Sequence, residues 1–307
     1  MSNKIIDIKL TYRCNNDCKY CCQDRKLRSV NSDLSVEKIK NIIQNEKDID
    51  KVVLTGGEAT LSPIIIEIIR IVKEAGIENI QLQTNAKKLK DKEFLNSIIE
   101  AGVSSFGISL HGCTKNMHEQ FTGTKGSFDD VIIALNNIKE FKCPVALNCV
   151  ITKHNVNYLK QIYDCVCDNK FASSIQFAFI HITGKALDGV NDFVTISEAS
   201  KGVRRALEEI RCNENHPLNV FTEAIPFCLM EGFEKNVSEL RNHADVITYD
   251  FRERREFSEA LSNVFKQKGP NCTKCLFYNY CDGTWREYPE LYGYDEFVPV
   301  TSFRSEY

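Results

Sequence analysis

Six short β-strand patterns, each followed by a helical pattern, constrain the fold of this chain most strongly. The strands are rich in β-branched residues, and the helices are framed by residues typical of helix ends, such as Ser35, Gly76 and Gly102. Strands that alternate with helices predict parallel βα units in an α/β fold. The six predicted strands are Ile5–Thr11, Lys51–Thr55, Asn79–Thr84, Ser105–Leu110, Val145–Thr152 and Ser174–Thr183.

The spacing of these units fits a partial or complete barrel, and it also fits an open doubly wound sheet. In either architecture, reactive groups are expected at the carboxyl ends of the strands. The pattern changes after the helix predicted at Ser197–Arg211, where irregular sequence, a strand pattern at Leu218–Thr222 and a cysteine-bearing tail follow. We therefore predict a core over residues 1–211 and a small appended domain over residues 212–307.

Fourteen of the 307 residues are cysteine. The amino-terminal residues lack the apolar segment of a signal peptide, and no apolar stretch is long enough to span a bilayer, so we expect a cytoplasmic protein without membrane association. Thiols in a reducing compartment favour metal ligation or catalysis over disulfides. The net charge of −3 gives no indication of nucleic-acid binding. Arg252, Arg254 and Arg255 alternate with glutamates and predict a solvated helix face.

Three cysteines directly follow the first predicted strand. Cys14, Cys18 and Cys21 are separated by three and then two residues, so one compact loop can point three thiolates at one centre. A closed zinc site or iron–sulfur cluster has four protein ligands. Three thiolates on a four-iron cubane would leave one iron open to a small molecule, whereas a zinc site would need the adjacent Cys22 as its fourth ligand.

This loop, with the aromatic Tyr20 before its last cysteine, resembles the signature loop of the radical S-adenosylmethionine (SAM) superfamily. The resemblance implies a partial (βα)6 TIM-like barrel and a [4Fe-4S] cluster whose open iron binds the amino and carboxylate groups of SAM. It also implies that the reduced cluster splits SAM into a 5′-deoxyadenosyl radical, which abstracts a hydrogen atom from a substrate. By the same resemblance, Tyr20 belongs to the cofactor-binding residues.

Residues at the ends of later strands match the same family. Gly56-Gly57-Glu58 resembles its Gly-Gly-Glu element, in which the glycines let the backbone approach a ligand and Glu58 would hold the methionyl amino group. Further matches imply contacts with the carboxylate, ribose or adenine of SAM. The alternative for the polar ones is that they satisfy backbone groups at strand ends. These further residues are Thr84, Ser109, Asn148 and Ile151.

A second cysteine group lies in the tail. Three cysteines within ten residues indicate a metal, and a fourth ligand is needed, for which Cys212 is the second choice. The pattern resembles part of the SPASM domain, or of its short form, the twitch domain. Because Trp285 stands where a full SPASM domain continues with cysteine, the resemblance implies one auxiliary [4Fe-4S] cluster. A zinc ribbon is the alternative, since four thiolates suit both metals. The preferred ligands are Cys228, Cys272, Cys275 and Cys281.

The other cysteines show no ligand spacing. A cavity-facing thiol could donate a hydrogen atom to a substrate radical, as in peptide epimerases of the family. Cys113, beside the end of the fourth predicted strand, is the candidate for this role.

The resemblance leaves the reaction open. The one-cluster tail looks like that of peptide maturases, so the preferred substrate is a peptide or protein side chain, and the implied partner is a low-potential electron donor such as a flavodoxin or ferredoxin. A radical enzyme acting on a small molecule in cofactor or nucleoside biosynthesis is the first alternative. The second is a non-catalytic metal-binding or electron-transfer protein, which would have no need of Gly56-Gly57-Glu58.

Overall fold

A sheet of nine described strands organises the structure, a computed structural model that describes residues 4–23, 25–28, 33–212, 218–240 and 245–302. The strands are β1 (Lys4–Thr11), β2 (Ile49–Gly56), β3 (Ile80–Thr84), β4 (Ser105–Ser109), β5 (Val145–Val150), β6 (Ser174–Ala178), β7 (Asn219–Glu223), β8 (Asp245–Tyr249), β9 (Arg254–Glu256), β10 (Lys266–Gln267) and β11 (Thr284–Trp285). The helices are α1 (Arg25–Arg28), α2 (Val36–Asn45), α3 (Ile65–Glu74), α4 (Lys92–Ala101), α5 (Lys115–Thr122), α6 (Ser127–Glu140), α7 (Leu159–Asn169), α8 (Ile196–Arg211), α9 (Phe257–Ala260) and α10 (Glu287–Tyr292).

The strand order decides between the two predicted architectures. The sheet runs β7-β6-β5-β4-β3-β2-β1-β8-β9, and the seven strands from β1 to β7 are parallel neighbours in chain order. A doubly wound sheet reverses its strand order, which this one does not. Right-handed βα crossovers in one direction place the helices on one face, as in a barrel wall. The predicted partial (βα)6 barrel is confirmed, and in the described residues β7 and β9 do not pair to close it.

Local sequence signals set the ends of most helices. Asp91 accepts hydrogen bonds from the backbone N–H groups of Glu93 and Phe94 and so caps α4. The same helix ends at Gly102, whose φ of 131° suits glycine. Thr195 and Glu198 form a reciprocal capping box at the start of α8.

Three sequence predictions differ from the structure. The sixth strand ends at Ala178 rather than Thr183. The arginine-rich segment forms the edge strand β9, which is antiparallel to β8, and not a helix. Arg254 forms an ion pair there with Glu46, the residue that follows α2. This is a tertiary contact that periodicity does not reveal. Helix α5 was not predicted.

The main sheet also extends beyond residue 212, the predicted start of the appended domain. Strand β7 pairs with β6, and β8 pairs in parallel with β1. The last cysteine group lies between β10 and β11, which pair as a hairpin, and helix α10 follows it. In the parts of the chain that the structure covers, every helix is too short or too polar to cross a membrane.

Candidate functional site

One face of the sheet is polar, and it forms the floor of the candidate site. Side chains point alternately to the two faces of a strand, so registered neighbours share a face. Ser109 lies beside Asn148, and Asn148 lies beside Gln176, all three half-buried. The opposite face holds the apolar residues that pack under the helices. We call the polar side the inner face. Its other polar side chains are Asp7, Lys9, Lys51, Thr55, Gln81, Gln83 and Glu223.

The structure brings the three amino-terminal cysteines together in the loop after β1. Burial, and then the neighbouring Cys14 and Cys21, raise the pKa of Cys18 to about 12. Arg28 donates a hydrogen bond to Sγ of Cys21 at 3.3 Å, and the backbone N–H of Asn16 donates to Sγ of Cys14 at 3.4 Å. Three half-buried cysteines in one place resist forming three thiolates unless positive charge compensates them, and the irons of a cluster would supply that charge. The loop therefore fits a three-cysteine cluster.

Helix α5 holds this loop in position, a contact that sequence reasoning missed. The backbone N–H groups of Asp17 and Lys19 donate to the carbonyl oxygens of Thr122 and Phe121 at 3.0 and 2.9 Å. Gly123 follows the helix with φ of 61°, and a Cβ atom there would lie 2.6 Å from the carbonyl oxygen of Asp17. The glycine after α5 is thus required for the cysteine loop to dock.

Glu58 is the centre of a buried hydrogen-bond network at the carboxyl ends of β2 and β3. The residue is 1% exposed. Its Oε1 accepts from the hydroxyls of Thr60 and Thr84 at 2.6 and 2.5 Å, and its Oε2 accepts from the backbone N–H of Asn85 at 2.7 Å. Asn85 in turn donates to Oδ1 of Asn15 in the cysteine loop at 2.8 Å. Glu58 ties two strand ends to the loop, and Oε2 keeps a lone pair for a further donor.

The two glycines before Glu58 are needed for a contact different from the predicted one. A Cβ atom on Gly56 would lie 2.3 Å from the carbonyl oxygen of Thr11, and one on Gly57 would lie 2.4 Å from that of Arg13. Gly57 N–H donates to Thr11 at 2.7 Å. The glycines therefore let β2 approach the chain entering the cysteine loop, whether or not a ligand is present.

The remaining predicted cofactor residues occupy different surroundings. Asn148 faces the site, and its Oδ1 is buried without a hydrogen-bond partner among the described residues. Tyr20 is 3% exposed and packs against Phe121 and Phe193, with ring centroids 5.5 and 5.6 Å apart. Ile151 has no exposed surface. The structure thus brings Asn148 to the inner face, whereas the side chain of Ile151 lies in the core.

Cys113 lies away from the inner face. Its charge acts on the thiols of Cys149 and Cys165. Cys149 alternates with Asn148 on β5 and is fully buried on the helix-covered side, where Asn155 donates to its sulfur at 3.6 Å. Cys113 thus lies near the helix-covered side of β5, and its role as hydrogen donor stays a prediction.

The four preferred tail cysteines line one cavity. Burial, and then the other three thiols, raise the pKa of Cys228 to about 12. Backbone N–H groups point at two of the sulfurs, from Gly269 to Cys272 at 3.2 Å and from Gly283 to Cys281 at 3.4 Å. Cys212, the second choice as fourth ligand, is exposed and is not part of this lining.

The spacing of the thiols bears on the choice between zinc and a cluster. Tetrahedral zinc with bonds of about 2.3 Å needs sulfurs roughly 3.8 Å apart, whereas a cubane holds them farther apart. Within the described ranges, no group of three Cys, His, Asp or Glu side chains is placed to hold a single metal ion.

A buried charged group lies between the tail and the inner face, and sequence reasoning missed it. Lys266 is 2% exposed; its Nζ lies 2.8 Å from Glu239 and 3.8 Å from Asp282. The ammonium also lies 5.2 Å from the ring centroid of Trp285, which stacks on His181 at 4.0 Å. These contacts join residues far apart in sequence, so no spacing motif could have indicated them.

Taken together, the fold and the site define a partial α/β barrel with a three-thiol loop and a Gly-Gly-Glu turn at the carboxyl edge of its sheet. The family model described as "Radical SAM superfamily" matches residues 8–166. The chain belongs to the radical SAM superfamily and is an enzyme of that superfamily. The predictions of family, fold class and enzymatic nature are confirmed, and the non-catalytic alternative is wrong. Membership implies a [4Fe-4S] cluster and SAM as cofactors.

Curated relatives have different names. The chain is 27% identical over 261 residues to an Fe-coproporphyrin III synthase of Methanosarcina barkeri, covering 84% of this chain and 60% of that protein. It is 34% identical over 158 residues to a probable GTP 3′,8-cyclase of Sulfurisphaera tokodaii, covering 50% and 49%. The chain spans only about half to three-fifths of the length of these relatives.

Solved structures with the same fold include two bound to peptides. Streptococcus suis SuiB bound to the precursor peptide SuiA has a TM-score of 0.66 and 15% identity, covering 92% of this chain and 72% of that chain. The enzyme anSMEcpe with bound AdoMet and the Cp18Cys peptide has a TM-score of 0.66 and 16% identity, covering 95% of both. At this level of identity the likeness concerns the fold.

Proposed function

We propose that this enzyme cleaves SAM reductively and abstracts a hydrogen atom from the side chain of a peptide or protein. Cys14, Cys18 and Cys21 would hold the cluster, which supplies, when bound and reduced, the electron that splits SAM. Arg28 would stabilise the thiolate of Cys21 through its hydrogen bond of 3.3 Å. A low-potential donor such as a flavodoxin or ferredoxin would deliver the electron.

The residues around the open iron would orient SAM. Glu58 would accept a hydrogen bond from the methionyl ammonium at Oε2, since Oε1 is already shared by Thr60 and Thr84. Thr84 would act by holding the Glu58 carboxylate in position, because its hydroxyl donates a hydrogen bond to Oε1 of Glu58. The unpartnered Oδ1 of Asn148 and the hydroxyl of Ser109 offer contacts to polar groups of SAM or substrate.

The lining of the inner face is the observation that carries the choice of a peptide. Gln81, Gln83, Ser109, Asn148 and Gln176 are neutral and both donate and accept hydrogen bonds, which complements peptide amides. A porphyrin with several carboxylates would need several unpaired cations. The inner face has two lysines, Lys9 and Lys51, and they share it with the carboxylates of Asp7 and Glu223. One observation favours the alternative of a small-molecule substrate. The relative whose match covers 84% of this chain is named as an Fe-coproporphyrin III synthase.

We further propose one auxiliary [4Fe-4S] cluster held by Cys228, Cys272, Cys275 and Cys281. The shared cavity and the two backbone N–H groups that point at sulfur support it. Hydrogen bonds from N–H groups stabilise thiolates and tune a cluster's potential. Mössbauer spectroscopy and metal analysis of the purified chain distinguish iron cubanes from zinc.

A competition between substrate classes tests the proposed function. The reconstituted, reduced enzyme receives SAM together with either a pool of random peptides or an iron porphyrin that bears carboxylates, and bound material is identified by mass spectrometry after ultrafiltration. We expect retention of peptides and a SAM-dependent loss of two hydrogens, or another covalent change, in the retained ones. Retention of the porphyrin alone would contradict the peptide assignment. Cys14→Ala, which lacks one cluster ligand, is the matched control without radical chemistry.

A further inference from the structure

Glu223 is a carboxylate at the carboxyl end of β7, on the inner face and without a cationic partner. Its Oε2 accepts a hydrogen bond from the neutral amide of Gln176 at 2.6 Å. In the described chain its Oε1 accepts none, and no ion pair reaches it. Glu223 lies in register with Ala178 of β6, two residues after Gln176, and therefore belongs to the inner face.

The local charge balance around Glu223 is negative. Three carboxylates, those of Glu223, Glu239 and Asp282, surround the single ammonium of Lys266. Lys266 makes its contacts with the latter two, at 2.8 and 3.8 Å. Burial raises the pKa of Glu223, because a carboxylate without a paired cation is costly away from water. Glu223 therefore shares the charge of Lys266 with two other carboxylates and has no ion pair of its own among the described residues.

A second, independent observation concerns Trp285. The residue is only 7% exposed, and its indole N–H has no acceptor among the described residues. It belongs to the same group, since its ring lies 5.2 Å from Nζ of Lys266. Buried donors of this kind are normally paired, so an acceptor from a ligand is expected there.

We propose that Glu223 and Trp285, which both lie near Lys266, bind a basic residue of the substrate, with its ammonium or guanidinium on Glu223. This rests on the proposed function, a peptide substrate. A basic peptide residue supplies both missing partners, a cation for the carboxylate and a backbone carbonyl oxygen for the indole N–H. A neutral residue of the same length supplies only the second.

Affinity selection with defined peptide pools tests this site. The full chain, anaerobically reconstituted with iron and sulfide, is mixed with three pools of acetylated, amidated random decapeptides whose central residue is Lys, Arg or norleucine and which contain no other basic residue. Retained peptides are counted by mass spectrometry. We expect the wild type and the control Glu209→Gln, which changes an exposed residue, to retain at least one of the basic pools about tenfold or more better than the norleucine pool. Norleucine cannot form the charge-assisted hydrogen bond, and the loss of that bond implies a difference of this size. For Glu223→Gln the ratio should fall close to one.

Each other outcome overturns a defined part of the account. Equal retention of all three pools by the wild type, or an unchanged ratio in Glu223→Gln, would overturn the cationic site while leaving a peptide substrate. Retention of no pool would instead contradict the proposed function itself. The affinity of Glu223→Gln for SAM is measured by equilibrium dialysis. A loss of SAM affinity in this variant would assign the Glu223 carboxylate to SAM binding and would overturn the proposed contact with the peptide. Circular dichroism checks that both variants are folded.

Discussion

Asp7 on the inner face should lower the stability of the folded enzyme above pH 4, and Asp7→Asn should remove that cost. Burial raises the pKa of Asp7 from 3.8 to about 6, partly offset by Lys9 and by the hydrogen bond from Thr55 at 3.3 Å. Since the folded state holds the proton more tightly, stability falls as pH rises from the unfolded pKa through the folded one. The cost works out at about 2 kcal/mol at pH 5 and about 3 kcal/mol at pH 8.

Thermal unfolding of the reconstituted enzyme measures this cost. With an unfolding entropy typical of a chain of 307 residues, Asp7→Asn should raise Tm by about 2–3 °C at pH 5 and by about 5 °C at pH 8. The matched control Asp168→Asn alters an exposed carboxylate of α7 and should change Tm little at either pH. An equal gain at both pH values, or a loss at pH 8, would refute the reasoning.

Further substitutions test the two cysteine centres. Gly57→Ala forces a Cβ atom to 2.4 Å from a carbonyl oxygen and should reduce bound iron by about four per chain, whereas Gly189→Ala, whose Cβ atom has its nearest neighbour at 3.9 Å, should not. Cys228→Ala should likewise remove about four irons per chain, those of the tail centre, and Cys212→Ala should remove none. An equal iron content in the two variants would contradict Cys228 as the fourth ligand of the tail centre. Lys266→Met removes the ammonium that contacts Glu239 and Asp282 and should destabilise the enzyme by about 3–5 kcal/mol, seen as a lower Tm. An unchanged Tm would argue against the buried ion pairs.

The order of the βα units followed from sequence because each strand and helix carries its own local signal. Ser35, Asp91 and Gly102 mark helix ends through hydrogen bonds or backbone angles that involve only their neighbours. The cysteine loop was equally visible, since its three ligands lie within eight residues of each other. Short-range chemistry of this kind survives in the linear sequence.

What could not be predicted depends on contacts between distant segments. Strand β8 joins the edge of β1 through pairing across more than two hundred residues. Strand β9, whose arginines resemble a helix face, pairs with β8. The burial of Ile151 in the core depends on tertiary packing. The site proposed at Glu223 needs Lys266 and Trp285 from the tail, and no local pattern links them.

The most direct test of radical SAM chemistry in this chain is the product of SAM cleavage. The anaerobically reconstituted enzyme, reduced with dithionite and supplied with SAM, should release 5′-deoxyadenosine and methionine, and Cys18→Ala should release neither. Iron should amount to about eight atoms per chain if both centres are cubanes. Fully loaded, reduced enzyme that binds SAM and forms no 5′-deoxyadenosine would contradict the account.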